Sequence, residues 1–203
     1  RWRGVARAAA RSAGLDDSAA LNDDVREKLG VLNAAAERGD IAAARASFDG
    51  LRAWLQEAGD VLPPREERMV WNTVLKAYAN AGDADGAAAW YRSTVEAGVR
   101  ANAKTFGKLI EAAAKAKAAR QAVAGLRAMQ EVDMSPDLVA YNCVIDAHAR
   151  AGDTKGAIKF LEEASGSRLD LDVLSYTSVI DGFARQSNTL EASNWLGKME
   201  KAG

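Results

Sequence analysis

The stretch Tyr141-Asn142-Cys143-Val144-Ile145-Asp146-Ala147-His148-Ala149-Arg150-Ala151-Gly152-Asp153 decides the fold. Its apolar side chains fall at Tyr141, Val144, Ile145 and His148 or Ala149, the spacing of one helical face. Gly152 suits the left-handed turn that closes a helix, and Asp153 suits the positive start of the next one. Beyond it, Ala157, Phe160, Leu161 and Ala164 form a second apolar stripe. The small alanines let the two helices approach closely. Two amphipathic helices of about three turns cannot hide their apolar faces alone, so neighbouring units must stack.

The same unit recurs on both sides of that stretch. Trp71-Asn72-Thr73-Val74-Leu75, Phe106-Gly107-Lys108-Leu109-Ile110 and Tyr176-Thr177-Ser178-Val179-Ile180 match Tyr141-Asn142-Cys143-Val144-Ile145, each 35 residues from the next. Ala87, Ala122, Ala157 and Ala192 repeat in phase, followed by Trp90 and Tyr91, Leu126, Phe160 and Leu161, or Trp195 and Leu196. An unbroken period of this length marks a solenoid of helical hairpins, and the glycines at mid-unit oppose a continuous coiled coil. The expected units are 68–102, 103–137, 138–172 and a shortened 173–203. A degenerate unit over 25–67 carries Leu29, Leu32, Arg38-Gly39-Asp40, Ala44, Phe48 and Leu51 in matching order. Its tail, 54–67, holds Pro63-Pro64 and reads as a loop or an extended second helix. Residues 1–24 read as a basic then acidic segment, partly helical or linker, with Asp16 to Asp24 as a linker or helix start. Arg1, Arg3, Arg7 and Arg11 within it fit either a basic helix of an upstream repeat or the end of an organelle transit peptide.

Composition narrows the functional classes. The chain has 203 residues, and its formal charge of −1 comes from 27 basic and 28 acidic residues, which opposes bulk electrostatic clamping of nucleic acid. Cys143 and His148 are the lone cysteine and histidine, too few for an internal disulfide or a usual structural zinc site. The apolar runs are too short and too interrupted for a membrane span. No phosphate-binding glycine loop, metalloprotease helix or nucleophile elbow is visible. We therefore expect no enzyme activity, no cofactor, no metal site and no small-molecule substrate. His148 and Cys143 are read as packing residues, and Trp90 and Trp195 as inter-helix core.

With Tyr141-Asn142, Ala151-Gly152-Asp153 and the preceding Pro136-Asp137 in place, the pattern resembles the pentatricopeptide repeat, well over 68–203 and weakly over 25–67. The resemblance implies a right-handed α-α superhelix whose first helices line a concave groove. It also implies single-stranded RNA binding in a mitochondrion or chloroplast, with one base per repeat read by two side chains. The implied pairs are Asn72 with Asn102, Gly107 with Asp137, and Asn142 with Asp172; Thr177 has no partner. Asn/Asn implies a pyrimidine and Asn/Asp uracil, while Gly107 offers no side-chain hydrogen bond. Met69, Val139 and Leu174 are the implied base-sandwiching residues, with Lys104 departing from that pattern. The competing structural role for Asn72 and Asn142 is a helix N-cap.

Lys115, Arg150 and Arg185 recur every 35 residues near the ends of first helices, where a row of cations can follow a phosphate backbone. Their alternative role is to complement helix C-termini, and Asp146 and Asp181, four residues earlier, are placed to form ion pairs that blunt the row. Two functions follow. One is an organellar RNA-binding adaptor acting in RNA processing, stability or translation. The other is a protein-interaction scaffold or accessory subunit of a large organellar complex. Three repeats that each read one base would select at best about one sequence in 64.

Overall fold

The computed structural model describes residues 18–202, with side chains from residue 24 onward, and all its regular elements are helices. The arginine-rich segment 1–15 lies outside the described residues. The chain divides into two units, the first ending at Ala77 and the second starting at Tyr78.

In the first unit, α1 (Ser18–Glu37) and α2 (Ile41–Ala58) form a hairpin, and α3 (Pro64–Ala81) begins. Gly39 takes φ 68°, and the Asp40 carboxylate accepts the Ala43 N–H at 3.0 Å, capping α2. The 54–67 tail divides in three. α2 runs on to Ala58, Gly59 closes it at φ 70°, and Pro64 opens α3. Proline suits a first helical position because its missing N–H has no partner there anyway. The helix of the 68–102 repeat therefore starts four residues before the repeat frame. Helix α1 begins at Ser18, within the acidic stretch 16–24, whose first two residues lie outside the described ones. Phe48 meets Trp71 edge-on at 4.8 Å, and the Lys76 ammonium bonds Glu37 and Asn33, tying α3 to α1.

The second unit holds α4 (Ala84–Glu96), α5 (Ala103–Lys115), α6 (Ala119–Glu131), α7 (Leu138–Arg150), α8 (Thr154–Gly166), α9 (Val173–Arg185) and α10 (Thr189–Ala202). First helices start at 103, 138 and 173, in step with the sequence period. Each packs against its own second helix, and α7 lies between α5 and α9, so the first helices form one continuous wall. Asn102, Asp137 and Asp172 cap them, accepting the N–H of Thr105, Ala140 and Ser175. The turns inside the hairpins place Gly82, Lys117, Gly152 and Ser187 in left-handed backbone. Lys117 and Ser187 bear the steric cost of a Cβ there, on the order of 1 kcal/mol each.

Between the layers lie Phe106, Ile110, Leu126, Tyr141, Val144 and Ile145, each 1 % exposed or less. Trp90 and Trp195 are buried in second helices, as expected of inter-helix core. On the outer layer the Arg127 guanidinium grips both Glu163 oxygens at 2.6 and 2.7 Å, joining α6 to α8, and the Tyr141 hydroxyl donates to the same carboxylate at 3.1 Å. Arg127 holds the Glu163 carboxyl below its ordinary range, against the opposing effect of burial.

Glycine has a packing role where a second helix starts. A Cβ on Gly156 would stand 2.2 Å from His148 Nδ1 and 2.4 Å from Asp153 Oδ2. His148 is itself fixed by Asp153 at 2.9 Å and by stacking on Phe160 at 5.2 Å, which makes it a packing residue. Gly156→Ala should therefore cost about 1–3 kcal/mol in thermal unfolding. Gly107→Ala, whose Cβ would meet nothing within 4 Å, should stabilise by up to about 1 kcal/mol.

Candidate nucleic-acid interface

The residues singled out by the sequence period lie on α5, α7 and α9 and at their starts, some exposed and some buried. Asn142 lies mid-helix in α7 and is no N-cap; the caps are Asn102, Asp137 and Asp172. Asparagine is a poor mid-helix residue because its amide competes with the backbone. Here that tendency is spent elsewhere. Asn142 is 4 % exposed, and its Nδ2 donates to Asp172 Oδ1 at 3.0 Å. Its Oδ1 accepts from the Ser175 hydroxyl at 2.7 Å. The pair Asn142 and Asp172 thus forms one hydrogen-bonded group spanning two repeats. Burial would raise the Asp172 pKa. The Ser175 N–H, the Ser175 hydroxyl and the Asn142 amide outweigh it and hold the carboxyl below its ordinary range.

The equivalent positions differ. A Cβ on Gly107 would meet no atom within 4 Å, and the Asp137 carboxylate accepts the Ala140 N–H at 2.9 Å. The Thr177 hydroxyl donates back to the Val173 carbonyl of its own helix. Val139 and Leu174 are 67 % and 59 % exposed, a large apolar surface for residues on a folded helix, and Lys104 is exposed beside them. In the first unit, Asn72 is half-buried and Met69 exposed, both on α3.

Lys115, Arg150 and Arg185 are the last residues of α5, α7 and α9. Carboxylates interleave with them. Arg150 pairs with Asp146 at 2.7 Å, and Lys115 with Glu111 at 3.0 Å. Lys115 also reaches Asn80 Oδ1 at 3.3 Å, and Glu111 holds Lys108 as well. Burial opposes ionisation of Glu111, but the two lysines lower its pKa. The row is therefore basic at its tips and nearly neutral along its midline. Cys143 lies at that midline, half-buried. Burial first, then Glu111 and Asp146, push its pKa up to about 11, so it stays a thiol.

Among the described residues no cluster of His, Cys, Asp and Glu is arranged to hold a metal, and no helix is long and apolar enough to cross a membrane.

A stack of helical hairpins with capped, aligned first helices defines a helical-repeat solenoid protein. Family models bring this to a particular family. The PPR repeat family matches residues 136–185, the pentatricopeptide repeat domain 91–151, and the PPR repeat 69–99 and 174–203. Together they run from 69 to 203, and the chain belongs to the pentatricopeptide repeat family. Comparison with curated protein sequences returns no match. The structure is similar to that of the pentatricopeptide repeat protein PPR10 in complex with an 18-nt psaJ RNA element, at TM-score 0.73 and 20% identity over 95% of this chain and 28% of that one. PPR10 from maize solved on its own gives TM-score 0.69 at 20% identity over 93% and 27% of the two chains. The PPR domain of Arabidopsis thaliana protein-only RNase P 1, in complex with tRNA, gives 0.62 at 15% identity, covering 84% of this chain and 86% of that one. The chain thus spans little more than a quarter of PPR10.

Sequence reasoning named Asn142 with Asp172, which the structure brings within hydrogen-bond distance, and Lys115, Arg150 and Arg185, which it places at the ends of first helices. It missed Ser175. A signal was present, since the hydroxyl lies 33 residues after Asn142 just as that of Thr105 follows Asn72.

Proposed function

We propose that this chain is an adaptor that binds single-stranded RNA along the first-helix wall, in an organelle, and acts in RNA processing, stability or translation. The observation that carries the reading is the Asn142–Asp172 group, an amide and an ionised carboxylate joined at 3.0 Å, with exposed Val139 and Leu174 on either side in sequence. An amide retains one further N–H and one further lone pair after those bonds. With the carboxylate facing N3 and the amide N–H facing the neighbouring carbonyl, the pair suits uracil, which has an N3–H, and opposes cytosine, whose N3 is an acceptor. Gly107 with Asp137 then discriminates weakly. Val139 and Leu174, with Met69, supply apolar contact to base faces, and Lys115, Arg150 and Arg185 contact phosphates. The RNA-bound states of PPR10 and of the RNase P repeat domain support this reading by likeness of fold.

The test is binding to short single-stranded RNAs of uridine or of cytidine across a salt series. The affinity should fall with salt, and Arg150→Ala should weaken both probes severalfold alike and reduce the log–log salt slope by about 0.7. No binding to either RNA at low salt would overturn the proposal. The carboxylates Glu111 and Asp146, which neutralise Lys115 and Arg150, favour a second reading. In it the wall is a docking surface for a protein in a large organellar assembly, and Arg150→Ala leaves RNA binding untouched.

A further inference from the structure

The Asn142 amide has two ways round, and what a base meets depends on which one is held. With Nδ2 toward Asp172, an N–H donates to a carboxylate; reversed, two acceptors face each other. The Ser175 side chain closes the other end. Its hydroxyl lies 2.7 Å from Asn142 Oδ1 and 2.9 Å from Asp172 Oδ1, its backbone N–H donates to Asp172 Oδ1 at 2.9 Å, and the Asp172 N–H donates back to Oγ at 3.3 Å. Ser175 is fully enclosed, at 0 % exposure, so water does not compete for these bonds.

A capping box alone would explain Ser175 as a helix-starting residue. The repeats of this chain say more. The third position of a first helix is Thr105, Ala140 and Ser175 in successive repeats. The fifth position of the preceding repeat is Asn72, Gly107 and Asn142. A hydroxyl stands 33 residues after each asparagine, and alanine stands 33 residues after the glycine. Asp137 caps α7 without any hydroxyl at Ala140, so helix capping does not by itself demand one.

We infer that Ser175 is a positioning residue for base selection. From the following repeat, its hydroxyl closes the Oδ1 end of the Asn142 amide and, with the Asp172 carboxylate at the Nδ2 end, holds it one way round, which sets the preference of that position for uracil over cytosine. The inference rests on the RNA-binding reading above, and it names a third side chain for this reading position, beyond the pair.

The experiment compares the whole chain with Ser175→Ala and Ser175→Thr, using single-stranded RNAs of uridine and of cytidine, with thermal unfolding alongside. Ser175→Ala should lower the uridine-to-cytidine affinity ratio by about fivefold, the worth of roughly one oriented hydrogen bond. It should do so mainly by binding cytidine better. Ser175→Thr should restore the wild-type ratio. In the free protein, the Asn142 side-chain amide protons should lose protection from solvent exchange in Ser175→Ala and regain it in Ser175→Thr. If Ser175→Ala weakens both RNAs alike and leaves the ratio intact, Ser175 is a helix cap only and this inference fails while RNA binding stands. If no form binds either RNA, the RNA-binding reading fails and takes this inference with it.

Discussion

Tyr141→Ala is expected to destabilise the second unit by about 3–5 kcal/mol, lowering its unfolding temperature by roughly 10–20 °C. The ring is 1 % exposed and is among the largest fully buried side chains, in the same cluster as Ile110, Leu126, Val144 and Phe160. Its removal opens a cavity at the centre of the stack, where neither neighbouring hairpin can collapse freely. The loss separates into two parts. Tyr141→Phe removes only the hydroxyl, and Glu163 keeps both bonds from Arg127, so that change should cost about 0.5–1.5 kcal/mol. Tyr176 holds the equivalent place in the next repeat but is only half-buried, so Tyr176→Ala should cost clearly less. Urea and thermal unfolding by circular dichroism read all three. Repeat arrays lose cooperativity when one interface is weakened, so Tyr141→Ala should also broaden the transition. Equal losses at Tyr141 and Tyr176 would contradict a stack held by its buried central repeats.

The ease of reading this fold from sequence has a physical cause. Each hairpin sees nearly the same neighbours, so the same side chains return at the same interval. Tyr141 and Phe106 are buried for the same reason, and Asn102, Asp137 and Asp172 cap for the same reason. Even the left-handed turn persists where Gly82 and Gly152 give way to Lys117 and Ser187, because the register of both helices demands it. What escaped was the departure from the period. The start of α3 was hidden because the repeat frame outweighed local signals, Pro64 among them. The site was harder for another reason. Asn142 suggested an N-cap because isolated asparagines favour helix starts, and only the positions of Asp172 and Ser175 show how a mid-helix amide is satisfied. Those contacts cross from one repeat to the next, so no reading confined to one repeat contains them.

The same contacts specify how to build a reading position where one is missing. Gly107 is the position-five residue of its repeat, and a Cβ there meets no atom within 4 Å. Its partner Asp137 is already in place as the cap of α7, accepting the Ala140 N–H at 2.9 Å just as Asp172 accepts that of Ser175. Gly107→Asn therefore brings an amide beside a waiting carboxylate at little helical cost, since glycine is the poorer helix former. Asparagine alone leaves the amide held at one end only, because Ala140 offers no hydroxyl. Adding Ala140→Ser completes the three-residue group found at Asn142, Asp172 and Ser175. The double variant should prefer uridine over cytidine at that nucleotide by about tenfold or more, within the 1–3 kcal/mol that one well-made base contact contributes. Gly107→Asn alone should gain only part of this, and Ala140→Ser alone none. The measurement is competition between RNAs differing by a single uridine-to-cytidine change, stepped along the strand to find the affected nucleotide. A folded double variant with the wild-type ratio at every nucleotide would mean that the amide, the carboxylate and the hydroxyl do not together read a base.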